Sequence, residues 1–237
     1  MSEAKVTHVE KVMLAVRGPV PTEKWCSDLR KQGSQMGFGG VAINVRDNLV
    51  SGSKMTLTTL DPPIVAVVSV WTEQHYGQPI AELIDLIGSS FGHVSAYLVT
   101  ESVPLPVPRV DPGERTPGLS NLAFIRRPVD LDEATWRRRW HLDHTPIAIE
   151  TQATFGYVQN AVVRSLTPDA PSVDAIVEEF FPIEAVHDVH AFFGAADDDE
   201  LTDRMTRMLA STGAFGADQN IDTVPTSHYL YRDPCAR

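Results

Sequence analysis

Leu122-Ala123-Phe124-Ile125-Arg126-Arg127-Pro128 is a short apolar run stopped by arginine and proline. Val12-Met13-Leu14-Ala15-Val16-Arg17-Gly18-Pro19 is its counterpart in the first half of the chain. Each apolar run has the length of a strand and ends at a turn residue. A helix start follows in both places. Thr22 precedes Glu23, Lys24 and Trp25, and Asp130 has Glu133 three residues on, a spacing close to a capping box.

The same order continues outward from each run. In the first half Val41–Val45 and Ile64–Trp71 read as strands, Pro79–Phe91 as a helix with Ile80, Leu83, Ile84 and Ile87 at helical spacing, and His93–Val103 as a further strand. In the second half Phe155–Val163 and Asp174–Phe181 are the middle strands. Glu200–Ser211 is the second helix and Ser227–Tyr231 the last strand. Trp25 matches Trp136, and Ala66-Val67-Val68 matches Ala175-Ile176-Val177, with offsets near ~110 residues, the scale of a duplicated domain rather than a solenoid repeat.

The fold expected is therefore α+β, two tandem ferredoxin-like βαββαβ repeats. They occupy residues 1–103 and 119–237, joined by the proline-rich linker 104–118. Each four-stranded sheet carries helices on one face and leaves the other bare. Packed sheet to sheet, the bare faces would form a fused dimeric α/β barrel around a cavity. Homodimerisation beyond that stays open.

Composition narrows the functional classes. The chain is 43% apolar and 22% charged, as in an ordinary globular protein, and its formal charge of −11 opposes nucleic-acid binding. Arg137, Arg138 and Arg139 form the densest basic cluster, and on a helix they fan out instead of making a stripe. Met1–Lys11 lacks the apolar core of a signal peptide, and no run reaches the length of a membrane span. Cys26 and Cys235, distant and without a metal-ligand pattern, fit free thiols in a reducing compartment. A cytoplasmic location is expected.

Chemistry concentrates in the second half. On a helix over Asp132–Ile149, Trp136, Trp140 and His144 stand at four-residue steps and share a face. The plain reading is a core stripe whose histidine favours the helix C-terminus; the functional one is an imidazole at a cavity. On the next strand Phe155, Tyr157 and Gln159 share one face and Gly156, Val158 and Asn160 the other. Buried Tyr and Gln need partners, which a polar ligand would supply. Asp174 and Glu178 then share a face, with Glu179 opposite, among Ile176, Val177, Phe180 and Phe181. A carboxylate held by apolar neighbours has a raised pKa suited to proton transfer, whereas outward carboxylates would only guard a sheet edge.

Arg127-Pro128, Trp140 with His144-Thr145-Pro146, Tyr157-Val158-Gln159-Asn160, and Asp174-Ala175-Ile176 before Glu178-Glu179-Phe180 resemble the EthD-domain family of the dimeric α/β-barrel superfamily. The resemblance spans roughly residues 119–232, with the first half a diverged copy. It implies a small-molecule enzyme of a superfamily that includes cofactor-free polyketide cyclases, small monooxygenases and haem peroxidases. On it, His144 is the candidate for proton transfer, with Tyr157, Gln159 and Asn160 as cavity groups; taken with the strand reading, His144, Tyr157 and Glu178 are expected to be catalytic and Gln159, Asn160, Trp140, Phe155 and Phe180 to bind substrate. Aligning Trp25 with Trp136 sets Gly33 where the second half has His144, so one site per chain is expected.

Other constellations are weaker. His141/His144 and His187/His190 form two H-x-x-H pairs, and Glu178 would complete a metal set, but the second pair lies in an unassigned turn and no metal is expected. The glycines at 37, 39 and 40 precede a strand, unlike a phosphate-cradling loop. The Gly-x-x-Asp-Gly motif of the haem members is absent, leaving His187, His190 and His228 as the histidines that would have to reach an iron; no cofactor is expected. No nucleophile elbow is present, and Asp197-Asp198-Asp199-Glu200 suits a helix start better than an EF-hand.

Three functions follow. In the first, a lyase, a cofactor-independent dehydratase or cyclase, acts on an aromatic or polyketide-like substrate: His144 moves a proton, Tyr157 and Gln159 hold an enolate oxygen, and Glu178 shares the proton. The second is a cofactor-free monooxygenase, an oxidoreductase using the same deprotonation. The third is an accessory protein that binds a ligand without turnover.

Overall fold

The computed structural model describes residues 9–234; Cys235 and most of the Met1–Lys11 stretch lie outside the described residues. The first half runs β1 (Glu10–Arg17), α1 (Glu23–Gln35), β2 (Gly40–Val45), β3 (Ile64–Thr72), α2 (Gln78–Phe91) and β4 (His93–Leu105). The second runs β5 (Leu119–Ile125), α3 (Glu133–Arg138), a π-helical turn (Arg139–His144), α4 (Thr145–Thr151), β6 (Gly156–Ser165) and β7 (Ala175–Phe181). A 3-10 turn (Ile183–Val186), α5 (Val189–Phe193), α6 (Asp198–Phe215) and β8 (Asp222–Arg232) complete it.

The eight strands close into one antiparallel barrel in the order β1-β3-β2-β8-β5-β7-β6-β4. The expected pair of sheets facing each other is thus a single sheet curled shut. Its junctions are β2 with β8, where Ile43 pairs with Tyr229, and β4 with β6, where Val99 pairs with Val162. Closure removes the four open edges that two separate sheets would expose, each a row of unpaired N–H and C=O groups.

Strand alternation sorts the side chains onto two surfaces. Val12, Leu14 and Val16 of β1 turn outward and pack with Ile80, Leu83 and Ile87 of α2 and Leu29 of α1. Met13 and Ala15 turn inward, where Val67, Val99, Leu122, Phe124, Ile176 and Val224 meet them. An eight-stranded barrel is just wide enough for side chains to fill it. The cavity expected between the two halves is therefore occupied by protein.

The inward side also carries a polar layer. Lys11 Nζ donates to Glu178 Oε1 at 2.9 Å and to Glu101 Oε2 at 2.5 Å, and Asn160 Nδ2 donates to Glu178 Oε1 at 3.0 Å. Asn44 Nδ2 donates to Ser120 Oγ at 2.9 Å and Thr226 Oγ1 at 3.0 Å. Burial disfavours charge on Lys11, but the two carboxylates prevail and its pKa is raised. Burial likewise opposes the charge on Glu178, and Lys11 with His228 outweighs it, so that carboxyl is held below its ordinary value.

Several boundaries differ from expectation for identifiable reasons. β8 begins at Asp222 instead of Ser227, although Pro225 lies within it. Thr223 N–H donates to Leu57 O on the strand's outer side, and β2 pairs only as far as Val45 with Ser227, so the missing N–H of Pro225 falls where no strand partner stands. α6 extends to Phe215; the Asp197 side chain accepts from Glu200 N–H at its start, and Gly216, at φ 78, ends it. Among the described residues no helix is long and apolar enough to cross a membrane.

Candidate functional site

The helix expected over Asp132–Ile149 is interrupted where it matters. Asp132 caps α3 by accepting from Thr135 N–H at 2.9 Å. Further on, Pro146 has no N–H, and its ring would press on the carbonyl four residues back in a regular helix. The chain widens there into the π turn, in which Thr145 N–H donates to Trp140 O, five residues back. The aromatic ladder survives as packing: Trp136 and Trp140 lie 5.2 Å apart between ring centres, and both are buried against Phe215 and the sheet. His144, just after it, turns to α6. Its Nδ1 lies 2.8 Å from Ser211 Oγ and its ring 4.8 Å from that of Phe215.

A cavity of 340 Å³ lies between the outer face of the second-half sheet and its helices. Its floor holds Asn121, Ala123, Ile125, Tyr157, Val177 and Glu179; His144, Met208, Thr212 and Phe215 roof it, and Phe192 and Phe193 close one end. The volume is within the range of small-molecule pockets, and the apolar lining with few polar groups matches their usual composition. The site therefore sits outside the barrel, under the helices.

Register places three polar floor residues in one row. Glu179 of β7 stands opposite Asn121 of β5 on one side and Tyr157 of β6 on the other. Glu179 is buried, and desolvation pushes its pKa up to about 7. With the Gln152 amide turned to bring its nitrogen inward, that nitrogen donates to Glu179 Oε1 at 3.1 Å and to Ala148 O at 3.2 Å. Burial, with the Glu179 charge adding to it, raises the Tyr157 pKa, and Thr145 and Trp140 lie beside its hydroxyl. Asn121 Oδ1 is buried with no hydrogen-bond partner among the described residues.

His144 is held the other way: burial lowers its pKa to about 4, so the imidazole is neutral near pH 7. With Nδ1 engaged by Ser211, its Nε2 has no protein partner among the described residues and is left for the cavity. A neutral imidazole, a phenol and a carboxyl that titrates near neutrality thus face one apolar space.

The structure brings together only some of the residues named from sequence. His144 and Tyr157 both line the cavity. Gln159 is on their side of the sheet but is consumed by the helix: Nε2 donates to Thr145 Oγ1 at 2.6 Å and Oε1 meets His141 Nδ1 at 2.9 Å. Trp140, within the π turn, is core packing. Glu178 and Asn160 are turned into the barrel by alternation, away from His144. Phe180 packs edge-on against His228 at 5.3 Å, with Phe155 6.3 Å from it, so both also lie apart from the cavity. Glu178 is thus replaced at the site by its neighbour Glu179.

Sequence reading missed Glu179, Asn121 and Gln152. The alternation of Glu178 and Glu179 was legible, but which of them shares a face with Tyr157 depends on cross-strand register. His190 pairs with Asp198 at 3.0 Å near the surface, and neither it, His187 nor His228 lines the cavity. Among the described residues no three or more His, Cys, Asp or Glu side chains gather as a metal site. In the first half Gly33 lies on α1 with Val41 side-chain atoms 3.8 Å from where its Cβ would be.

Known proteins resemble this chain in overall fold and, over part of its second half, in sequence. No curated protein matches the sequence. An anthrone oxidase-like protein superposes with TM-score 0.53 at 9% identity, covering 98% of this chain and 97% of the other. A protein described as a candidate monooxygenase from Lactobacillus acidophilus NCFM gives TM-score 0.48 at 8% identity, covering 94% and 96%. A mutant chlorite dismutase from Candidatus Nitrospira defluvii gives 0.47 at 9%, covering 93% and 91%. At such identities the likeness concerns the fold alone. The family match is to the EthD domain and covers residues 129–207, from the start of the π-interrupted helix through β6 and β7 into α6. Residues 129–207, in the second half of this eight-stranded barrel, therefore match the EthD domain family.

Proposed function

We propose that the chain is a cofactor-independent enzyme that moves a proton on a small aromatic or polyketide-like molecule held under α6. The observation that carries the reading is the Asn121–Glu179–Tyr157 row facing His144 across an apolar cavity. Glu179 is the base: a carboxyl with a pKa of about 7 is close to the value at which proton transfer near neutral pH is most effective. It would take a proton from carbon next to a carbonyl or from a phenol. Tyr157 and the Nε2 side of His144 would then share the oxygen on which charge develops, in a site from which water is largely excluded.

Two outcomes share that first step. Loss of a hydroxide or ring closure from the carbanion makes the enzyme a dehydratase or cyclase. Reaction of a methylene carbanion with O₂ gives a hydroperoxide that loses water to leave a carbonyl, one oxygen atom in the product and one in water with the substrate supplying the electrons. That outcome makes it a monooxygenase, a reading encouraged by the fold likeness to the anthrone oxidase-like protein. We infer further that the chain is two tandem ferredoxin-like repeats fused into what a dimeric α/β barrel makes from two chains, since each half contributes strands in the same spatial order, β4-β1-β3-β2 and β8-β5-β7-β6. A homodimer of the fused chain is compatible with this arrangement.

Proton transfer can be tested before the substrate is named. Aromatic β-dicarbonyl compounds in D₂O should exchange the hydrogen between their carbonyls faster with the protein than without it, followed by NMR, and Glu179→Gln should remove the acceleration. Oxygen uptake during turnover then separates oxygenase from lyase. Tight binding with no exchange would replace the enzyme reading by that of a ligand-binding accessory protein.

A further inference from the structure

The first half contributes a wall to the second-half cavity. The connection between β2 and β3 spans residues 46–63, whereas the corresponding connection between β6 and β7 spans only 166–174. The longer segment crosses to the other half and is tied there. Leu57 exchanges backbone hydrogen bonds with Thr223, Thr223 Oγ1 donates to Met55 O at 2.7 Å, and Thr59 Oγ1 donates to Asp222 Oδ2 at 2.9 Å. Val50 is fully buried among Leu119, Phe181 and Phe192.

Within the segment, Arg46 Nη2 donates to Ser51 O at 3.2 Å and Met55 N–H donates to Ser53 Oγ at 3.2 Å, so it holds its own shape. The result is that Lys54, Met55 and Leu57 line the cavity. Lys54 is exposed and makes no hydrogen bond or ion pair with the described residues. The other ionisable groups lining the cavity are His144, Tyr157, Glu179 and Asp218.

Resting on the proposed site, we infer that this segment sets ligand choice: Met55 and Leu57 grip the apolar body of the ligand, and Lys54 selects an aromatic acid whose anionic group faces solvent while its hydroxyl or carbonyl end reaches Tyr157 and Glu179. Lys54 has a free ammonium to offer, and a flexible four-carbon stem lets it meet an anion at the mouth. Asp218 opposes a ligand anion from the same rim and sets the limit on the preference. Among ligands of one shape, those with a carboxylate opposite the reacting end bind better.

The test is calorimetric titration of the full chain at pH 6 with 6-hydroxy-2-naphthoate and with 2-naphthol, which share the ring system and the hydroxyl. The hydroxynaphthoate should bind about fivefold tighter, and the advantage should shrink as salt is added. Lys54→Met should bring the two within about twofold and Lys54→Glu should reverse the order, while Lys54→Arg keeps it. Met55→Ala should weaken both ligands alike. Equal affinities in the unaltered protein, or a preference that survives Lys54→Met, would overturn the inference and leave the cavity assignment intact. Failure of both ligands to bind, even at millimolar concentration, would instead remove the cavity reading and the ligand selection with it.

Discussion

Tyr157 and Glu179 stand directly across the β6–β7 pair from one another, so the phenol and the carboxyl project from the same face of the sheet into the same space. Glu178, one residue earlier, projects through the other face and meets Lys11 inside the barrel. Two adjacent carboxylates thus occupy opposite electrostatic settings, one desolvated without a cation and the other desolvated beside one. The first is fit for accepting a proton and the second for holding the barrel together.

Glu179→Gln should lower turnover by about 10²- to 10⁴-fold, the usual worth of a positioned acid or base, while leaving the protein folded. It should also stabilise the protein above neutral pH. In the folded state the carboxyl ionises at about 7, and when unfolded near 4.5, so native protein binds the extra proton and stability declines as pH rises from 4.5 to 7. Denaturant melts at pH 5 and pH 8 should show a gap of roughly 3 kcal/mol or less attributable to this group, absent in the Gln variant. An unchanged pH dependence would show that the carboxyl is not desolvated as described.

His144 has the opposite sign. Its folded pKa of about 4 lies below its ordinary 6.5, so the stability present above pH 6.5 erodes as pH falls toward 4. His144→Gln should flatten that acid limb, and NMR titration of the imidazole should find no charging between pH 6 and 8. The turnover profile should accordingly rise with Glu179 near 7 and carry no inflection from His144 at 6.5.

Lys11→Met should destabilise the protein by about 3–5 kcal/mol, because the buried Glu178 and the partly exposed Glu101 lose their shared cation. Lys11→Met combined with Glu178→Leu should recover much of the loss, which a double-mutant cycle would read directly. Ligand affinity at the outer cavity should hardly change in the double variant, since the pair lies on the other face of the sheet.

Gly118→Ala should cost about 1–3 kcal/mol from backbone strain, with steric cost added. Gly118 adopts φ +97, and a Cβ there would come 2.1 Å from the carbonyl oxygen of Phe181. Thermal melting would measure the loss. A neutral outcome would mean that the turn into β5 can rearrange without disturbing β7.

Much of this architecture was legible in one dimension. Apolar runs bounded by Arg-Gly-Pro and Arg-Arg-Pro marked β1 and β5, helical spacing marked α2, and the strand–helix order recurred, because local hydrophobic period and turn residues report secondary structure directly. The alternation that separates Tyr157 from Asn160 and Glu179 from Glu178 was equally plain, being a property of a pleated strand. What the chain order left undecided was which face the helices cover. That depends on the long-range register of Glu179 against Tyr157 and Asn121, on the closure of β2 on β8 and β4 on β6, and on the crossing of residues 46–63 to the other half. Those pairings are set by burial summed over the whole barrel, and no local stretch carries that sum.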